Sequence, residues 1–373
     1  MFNRIIRIMA TAAGCTLLLV GCSLRLDAPA RTKEISFSAG ASLLCDDASR
    51  TKFGAPINGT SFANGSSFLV YGRRNTDPLI FSPTEVSLSS SLWSYDSPEY
   101  WEWSSSQDYY DFLGLYLGDM YDINRTSIPM PSCDTGSPMS ASVAYDPSVD
   151  QFDLMLAGTR RTYDEPGGRT SAVNMNFHHM LSAVRVSIAN GSTTRSFTLN
   201  EFYFENLVSR GTAKVEASYD AQGNATYSWT GTTRLAAPIG GTANLSLDEL
   251  AVITTTSFIQ DTFNPGVTRS HDYWDLMIPQ NHEGKIGSTG WPALVLVFTP
   301  YGGSQTTVRI LLKDIYTDPE QGTPTLISDW EMGVKYVYLV RINLDGGIQV
   351  HVTTTDWEDV TAETPGLLLP EFG

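Results

Sequence analysis

Two adjacent histidines, His178 and His179, have the side chains in this sequence that most readily suggest chemistry. They stand in the stretch NFHHMLSAVRVSI, which runs directly into an alternating apolar segment. A metal site needs three or four His, Cys, Asp or Glu ligands that converge on one ion. Adjacent residues of a regular strand point to opposite faces, so the two imidazoles cannot share an ion. The other histidines show no ligand spacing either: His271, His282 and His351.

Acidic residues are the second group that could do chemistry. Asp146, Asp150 and Asp153 in DPSVDQFDLM suggest calcium, because hard cations take carboxylate oxygens. Their spacing does not match the known calcium loop, so a solvated turn before a strand is the favoured interpretation. Among 40 acidic residues a glycosidase-type carboxylate pair stays open, but nothing singles one out. The sequence contains no G-x-S-x-G, H-E-x-x-H or phosphate-cradling motif, and we predict no enzyme, metal or cofactor.

The N-terminus predicts export and a lipid anchor. Arg4 and Arg7 precede an apolar run over residues 9–20, which is too short for a permanent membrane helix. The run ends in L-V-G-C, which resembles the bacterial lipobox. We therefore predict a signal peptide over residues 1–21 and lipidation at Cys22. The alternative is an ordinary secretory signal that ends near a cysteine.

Charge and cysteine content limit the partners of the exported chain. The formal net charge of the 373-residue chain is −16, and a chain this acidic is a poor nucleic-acid binder. Once Cys15 leaves with the signal and Cys22 carries lipid, only Cys45 and Cys133 remain. They could pair outside the cytoplasm, but free or buried thiols are the favoured interpretation.

Short strands must position these residues. Apolar residues recur at every second position along much of the chain, the segments SFLVYG, FDLMLAG, AVRVSI and ALVLVF read as short strands, and no segment sustains a helical period. Turn signals separate them, at Asn58-Gly59, Asn64-Gly65, Asn190-Gly191 and Asp345-Gly346. This pattern predicts an all-β protein of sandwiches or barrels. The polar gap GTRRTYDEPGGRTS suggests an N-terminal domain over residues 22–170 and a C-terminal one over 171–373. The first strand, EISFSAGASLL, has one apolar face, made of Ile35, Phe37, Ala39, Ala41 and Leu43.

An aromatic segment lies in the N-terminal half. Aromatic faces stack on sugar rings, so a glycan-binding surface is one interpretation, and packing on half-buried strands is the favoured one. The nine residues are Trp93, Tyr95, Tyr100, Trp101, Trp103, Tyr109, Tyr110, Phe112 and Tyr116.

Several of these motifs, in this order, resemble those of the fimbrillins of Bacteroidia, the type V pilus subunits and their adhesin relatives. They are the lipobox, ISFSAG followed by SRTKF, FANGSSFLVYG, WSYDSPEYWEW, NFHHMLSAVRVSI, WEMGVKYVYLVRINL and VTTTDWED. The resemblance covers nearly the whole chain after the signal. It implies two tandem β-sandwich domains of transthyretin-like, Greek-key type. It also implies that Phe177, His178 and Leu181 belong to a structural motif in which a histidine makes a buried hydrogen bond.

The same resemblance implies assembly into a fimbrium by donor-strand addition. Proteolysis after an arginine would remove the first strand, and Arg50 in DDASRTKF fits best, with Arg31 second. The alternative for Arg50 is a solvated loop charge. Removing a strand exposes an apolar stripe and unpaired backbone groups, which a strand from a neighbour can cover. The C-terminal strands are the candidate donors, through Tyr338, Val340, Ile342, Ile348, Val350 and Val352.

The tail TAETPGLLLPEFG adds Leu367, Leu368 and Leu369 as candidates for burial in a partner. The alternative is an ordinary closing hairpin with a disordered tail. We expect an outer-membrane lipoprotein at the cell surface or in a fimbrium, with other fimbrial subunits and a host or bacterial glycan or protein as partners. CSLRLDAPA offers only Asp27 as an acidic residue after Cys22, which leaves a periplasm-facing location open. A second function stays open, a monomeric glycan-binding surface lipoprotein of a nutrient-uptake complex.

Overall fold

The computed structural model describes residues 33–39, 62–90, 92–118, 129–147, 151–165, 171–221, 223–234, 245–246, 262–263, 268–270, 274–284, 290–319, 322–344 and 346–357. These residues form strands and a single 3-10 turn at Leu312–Asp314. In these ranges no helix has the length and apolar character that a membrane crossing requires. The predicted all-β fold class is confirmed. The arrangement as two tandem transthyretin-like sandwiches stays a prediction.

The strands are numbered here in chain order. The first ten are β1 (Phe37–Ser38), β2 (Ser67–Arg74), β3 (Phe81–Ser89), β4 (Leu92–Ser94), β5 (Tyr109–Leu117), β6 (Ser132–Asp134), β7 (Ser140–Tyr145), β8 (Leu154–Thr162), β9 (Val173–Asn174) and β10 (His178–His179). The next eight are β11 (Ser182–Asn190), β12 (Phe197–Glu205), β13 (Val208–Tyr219), β14 (Ala225–Arg234), β15 (Leu245–Ser246), β16 (Thr262–Phe263), β17 (Thr268–Ser270) and β18 (Asp275–Met277). The last seven are β19 (Gln280–Asn281), β20 (Ala293–Pro300), β21 (Thr306–Leu311), β22 (Tyr316–Thr317), β23 (Asp329–Trp330), β24 (Val334–Asn343) and β25 (Gly347–Asp356).

Four larger sheets contain most of these strands. Sheet 1 has the order β10-β8-β5-β2-β3-β4, and sheet 2 has the order β14-β13-β7-β6. Sheet 3 has the order β17-β11-β24-β25-β22, with β18 also on β11, and sheet 4 has the order β15-β12-β20-β21, with β16 also on β12. Two small pairs, β1-β9 and β19-β23, complete the described ladders.

Sheet 1 is covered by apolar side chains on both faces. On β5, Leu113 and Leu115 belong to one cluster, whereas Tyr110 and Phe112 belong to another, as the alternation of side chains along a strand requires. This double burial explains why β5 is almost continuously apolar. One face shares the central cluster with sheet 2, whose members include Leu113, Leu115, Leu154, Leu156, Ala141, Val143, Ala213 and Val215. The other face carries the aromatic cluster, whose members include Ile35, Phe37, Phe62, Phe68, Phe81, Trp101, Tyr110 and Phe112.

Sheets 3 and 4 share a third group of buried side chains. In sheet 3, β24 pairs in parallel with β11 and antiparallel with β25, so it is an inner strand. The segments AVRVSI and ALVLVF supply β11 and β20, as predicted. This C-terminal cluster includes Val184, Val186, Ile188, Phe202, Phe204, Leu294, Leu296, Trp330, Tyr336, Tyr338, Val340, Ile342 and Val352.

Strand pairing crosses the predicted domain boundary at residue 170. β7 pairs with β13, β8 with β10, and β1 with β9. The hairpin of β13 and β14 therefore completes a sheet that begins with strands of the N-terminal half. A division between residues 22–170 and 171–373, which stays a prediction, would separate hydrogen-bonded neighbours.

The predicted turns differ in outcome. Gly65, with a φ of 96°, turns the chain into β2, and Gly347, with a φ of 99°, lies in the hairpin between β24 and β25. A turn at Gly346, one of the two residues of the predicted signal, thus joins β24 and β25. At Asn190-Gly191 the expected tight turn is wrong, because Asn190 still pairs with Ile342 and the Gly191 N–H donates to the Ile342 carbonyl at 2.9 Å. Asn58-Gly59 and Asp345 lie outside the described residues.

Candidate functional site

The first strand lies against the outer face of sheet 1. Ile35 and Phe37 are buried, and Ala39 packs against the aromatic cluster. Within the described residues 33–39, Phe37 and Ser38 form a ladder, in parallel with β9. Further backbone bonds run from the Ile35 N–H to the Glu99 carbonyl at 2.7 Å, and from Trp101 to Lys33, Val173 to Ser36 and Met175 to Ser38. Ala41 and Leu43, predicted on the same face, lie outside the described residues.

Aromatic rings form the groove that receives this strand. The Phe37 ring makes edge contacts with four other rings, those of Phe68, Phe81, Tyr95 and Phe112, at centroid distances of 5.4 to 6.2 Å. The Tyr95 hydroxyl donates to the Ile35 carbonyl at 2.5 Å. Burial raises the pKa of Tyr95 to about 12, so this hydroxyl stays protonated as a donor into the alkaline range. Tyr95 therefore ties the backbone of the first strand to the rings that surround it.

The aromatic segment of the sequence supplies much of this groove. Seven of its nine residues belong to the aromatic cluster or pack against it, which supports the packing interpretation over a glycan surface. Tyr109 instead lies under the Arg160 guanidinium, 4.2 Å from the ring centroid. Tyr100 is the most exposed of the nine, at 48%. The seven are Trp93, Tyr95, Trp101, Trp103, Tyr110, Phe112 and Tyr116.

The candidate donor strands are both in place within their own chain. Tyr338, Val340 and Ile342 of β24 are buried in the C-terminal cluster. On β25, Val352 is buried, whereas Ile348 and Val350 are partly buried against the same cluster. β25 has the short β22 as its other neighbour, so most of its outer edge is unpaired in the described part of the sheet. The tail with Leu367, Leu368 and Leu369 lies outside the described residues.

The paired histidines form β10 and face different surroundings. His179 is buried, and its Nδ1 lies 2.9 Å from Asp153 Oδ1. Its ring stacks on that of Trp357, with centroids 4.0 Å apart and an interplanar angle of 11°. His178 is half-buried, with its ring 4.9 Å from that of Tyr227. The buried hydrogen-bonded imidazole is therefore His179.

The rest of the histidine motif anchors two clusters. Leu181 is fully buried in the central cluster. Phe177 packs on the opposite side, with its ring 5.3 Å from Phe62 and 5.1 Å from Phe68. The motif thus leads the chain from the aromatic face of sheet 1 into its central face.

The structure corrects one expectation for the acidic residues. Asp153 is 3% exposed and faces His179, so its assignment to a solvated turn is wrong. Asp146 lies 3.9 Å from Arg210, and Asp150 lies outside the described residues. Sequence reasoning missed the Asp153–His179 pair, because 26 residues separate the two in sequence and only the pairing of β8 with β10 brings them together.

The remaining histidines do not converge with these groups. His282 is buried, with Nδ1 3.2 Å from the Ile327 carbonyl, and His351 is half-buried on β25. His271 lies outside the described residues. Over the part of the chain that the structure describes, no three His, Cys, Asp or Glu side chains are placed to hold a metal ion.

The predicted lipidation and cleavage residues and one of the two remaining cysteines lie outside the part of the chain that the structure describes. They are Cys22, Arg31, Arg50 and Cys45. Cys133 is a half-buried thiol on β6, and burial raises its pKa. The pairing of Cys133 with Cys45 therefore stays open.

Comparison with known proteins places the chain in one family. The model of the fimbrillin-like family matches residues 55–357, about four fifths of the chain. None of the curated proteins matches. Among solved structures, a candidate cell adhesion protein from Bacteroides uniformis is 15% identical, with a TM-score of 0.45, over 87% of this chain and 99% of that one.

Two further solved structures are similar. A fimbrial protein from Bacteroides vulgatus is 11% identical, with a TM-score of 0.43, over 78% of this chain and 92% of that one. The tip fimbrial protein Mfa3 from Porphyromonas gingivalis, with a C-terminal truncation, is 12% identical, with a TM-score of 0.34, over 87% of this chain and 99% of that one. The family assignment rests on the family model and not on these distant likenesses.

Proposed function

The chain belongs to the fimbrillin-like family, and we propose that it is a structural and adhesive subunit of a surface fimbrium. The family match over residues 55–357 is the observation that carries this proposal. In it, the protein is exported as a lipoprotein and polymerises by donor-strand addition after the first strand is removed. Its partners are other fimbrial subunits and a host or bacterial surface.

The surroundings of the first strand support removal and replacement. Without Ile35 and Phe37, a stripe of aromatic rings on sheet 1 would face water, and the Val173 and Met175 N–H groups would lose their acceptors. Exposed apolar surface and unpaired backbone groups are both costly, so an incoming strand with the same alternation is stabilised there. In this chain the Phe37 ring and the Ile35 side chain fill the groove, and a donor strand must place apolar side chains at the same two positions.

Export begins, in this proposal, with cleavage before Cys22 and its lipidation. Replacing Cys22 by alanine should abolish incorporation of radiolabelled palmitate and move the protein out of the membrane fraction. Cys15→Ala is the matched control, because Cys15 leaves with the signal peptide. Unchanged labelling of the Cys22→Ala variant would overturn the lipobox assignment.

Maturation then requires cleavage after Arg50, with Arg31 as the second candidate. An arginine-specific protease should convert the purified protein into a ladder of SDS-resistant oligomers. Arg50→Ala should prevent the ladder, and Arg31→Ala should leave it unchanged. A protein that is cleaved after Arg50 and stays monomeric would contradict assembly by strand addition.

Of the two candidate donor strands, β25 can leave its own sheet at lower cost. β24 pairs over eight residues with β11 and over ten with β25, so its loss would open the middle of sheet 3. β25 loses the β24 ladder and its short pairing with β22. Val350 and Val352 of β25 would then occupy the groove of the next subunit.

Cysteine crosslinking tests this donor directly. Removal of the first strand also removes residue 35, so the acceptor cysteine is placed beside that strand, at Val173→Cys. The donor cysteine is placed at Val350→Cys in a second molecule. We expect an intermolecular disulfide. If the tail contributes to binding, truncation after Trp357 should lower the yield of this crosslink. Gln349→Cys, whose side chain points to the other face of β25, is the control. Absence of the Val173–Val350 crosslink from an assembled ladder would rule out β25 as donor.

A further inference from the structure

β14 is the longest of the terminal strands in the described parts of the four larger sheets. β14 has ten residues, whereas the other terminal strands in the described parts of sheets 1 to 4 have two to six. Proteins protect sheet edges by keeping them short or by placing Lys or Pro on them. The sequence of β14, ATYSWTGTTR, contains neither Lys nor Pro, and its Arg is the last residue. No described strand pairs with this edge.

The register of sheet 2 identifies the backbone groups on that edge. The Ala217 N–H donates to the Met139 carbonyl on the β7 side, so Val215 and Ala213 also bond toward β7. Their neighbours on β13 bond toward β14, at Thr226 and Ser228. The N–H and C=O groups of Tyr227 and Trp229 therefore point away from the sheet. These groups can form hydrogen bonds with a strand that is added at this edge.

A pocket of about 550 Å³ opens beside this edge, within the size range of ligand sites. Asn224 and Tyr227 line it from the β14 side, and His178 lines it from β10. The turn with Glu331 and Met332 closes the opposite wall, next to Asp356 at the end of β25. The pocket thus lies where sheets 1, 2 and 3 approach one another.

The lining of the pocket selects one kind of side chain. Glu331 and Asp356 are exposed carboxylates, and no Lys or Arg is among the described residues that line the pocket. The Tyr227 ring and the Met332 thioether offer apolar surface between them. A lysine or arginine matches this combination, because its aliphatic stem packs on apolar groups while its charge faces carboxylates.

We infer that β14 and the adjacent pocket bind an extended segment of another protein that carries a lysine or arginine. The segment adds to sheet 2 as a further strand through the Tyr227 and Trp229 backbone groups, and its basic side chain enters the pocket. Backbone pairing provides affinity and the pocket provides selectivity, as in other cases of strand addition. This surface lies on sheet 2, away from the groove of the first strand on sheet 1, and it does not depend on the proposed polymerisation.

Fluorescence anisotropy with labelled peptides tests the inference on the full mature chain. The probes are TVTKTVT, the same peptide with Glu in place of Lys, and a Lys peptide that is N-methylated at residues on both of its edges. We expect saturable binding of the Lys peptide, weaker binding of the Glu peptide and none of the N-methylated peptide, because methylation on both edges removes the donors whichever edge of the peptide faces β14. Equal binding of the N-methylated peptide, or no saturable binding of the Lys peptide, would overturn the inference.

Charge variants separate the pocket from general acidity. Glu331→Gln combined with Asp356→Asn should weaken binding of the Lys peptide by about tenfold and leave the Glu peptide unchanged or improved. Glu283→Gln combined with Asp314→Asn removes two exposed carboxylates outside the pocket and should have no effect. An equal loss in both double variants would overturn the role of the pocket. Dimerisation that occupies β14 and excludes the Lys peptide would assign the edge to a second copy of this chain and would also overturn the inference.

Discussion

The first described strand and the last are held to the protein by different groups. β1 forms two residue pairs with β9, whereas β25 forms ten with β24. The Phe37 side chain of β1, however, contacts four aromatic rings, whereas Ile348 and Val350 of β25 are only partly buried. The first strand is therefore held mainly by side chains, and the last mainly by its backbone ladder. A strand held by side chains can be replaced by any segment that presents matching side chains.

Each of the two strands is also held by a specific side-chain contact, called here its clamp. Tyr95 donates to the backbone of the first strand at Ile35. At the other end, the Trp357 ring stacks on His179, which Asp153 orients, and the backbone N–H of Trp357 donates to the Gly333 carbonyl at 2.7 Å. His179 therefore contributes to the attachment of the C-terminal strand. The following predictions test this difference between the two ends, from the largest effect to the smallest.

Removing the Tyr338 side chain from β24 should have the largest effect on the free energy of unfolding. Tyr338 is fully buried and its hydroxyl accepts a hydrogen bond from Trp330 Nε1 at 2.8 Å. Tyr338→Ala should lower the free energy of unfolding by about 3–5 kcal/mol, as for other buried aromatic residues. Tyr338→Phe keeps the ring and should cost about 1–3 kcal/mol through the indole N–H left without its partner. Urea denaturation measures both, and equal losses would show that packing of the ring matters little.

Removing the Phe37 side chain from β1 should destabilise only the surroundings of the first strand. Phe37→Ala should destabilise the attachment of β1 by about 3 kcal/mol or more, because it removes a ring that four others contact. Hydrogen exchange should show the Val173 and Met175 N–H groups opening faster, while the C-terminal cluster stays protected. Ser38→Ala, at a half-exposed position, is the control. A global loss of stability as large as that of Tyr338→Ala would contradict the difference between the two ends.

Removing the imidazole should loosen the C-terminal clamp. His179→Ala removes the hydrogen bond between the imidazole and the buried Asp153 carboxyl, at a cost of about 1–3 kcal/mol, and should expose Trp357 to solvent. Thermal denaturation and tryptophan quenching measure the two effects. His178→Ala, at the half-buried neighbour, should cost less. Added zinc or a chelator should leave the melting temperature unchanged, and a drop of many degrees with a chelator would revive a metal site.

The N-terminal clamp should show the smallest effect and a distinct pH dependence. Tyr95→Phe removes one hydrogen bond to Ile35, worth about 0.5–1.5 kcal/mol. The pKa of Tyr95 rises from 10.0 to about 12 on burial. A raised folded pKa means that this stabilisation is complete below about pH 10 and is lost as the pH rises toward about 12.

Thermal denaturation between about pH 9 and about pH 12 compares the wild type with Tyr95→Phe. The wild type should lose its advantage over the variant across this range. Parallel curves at every pH would show that Tyr95 does not couple its ionisation to folding.

Local patterns in the sequence were sufficient for many of the strands. The short apolar segments SFLVYG, FDLMLAG, AVRVSI and ALVLVF correspond to β2, β8, β11 and β20. The aromatic content of the segment around Trp101 was sufficient to favour packing for most of its residues. These predictions succeed because short runs of apolar, β-branched and aromatic residues indicate buried strands whichever strands lie beside them.

Only the tertiary structure determined which strands meet. β11 pairs in parallel with β24 although about 150 residues separate them, and β13 joins a sheet of the N-terminal half. The roles of Asp153, His179 and Trp357 depend on such pairings, so the spacing of these residues along the chain predicted neither contact. A period of two identifies the buried face of a strand but does not specify its neighbour, because backbone hydrogen bonds are the same for every sequence and the choice lies in distant side chains that must pack together.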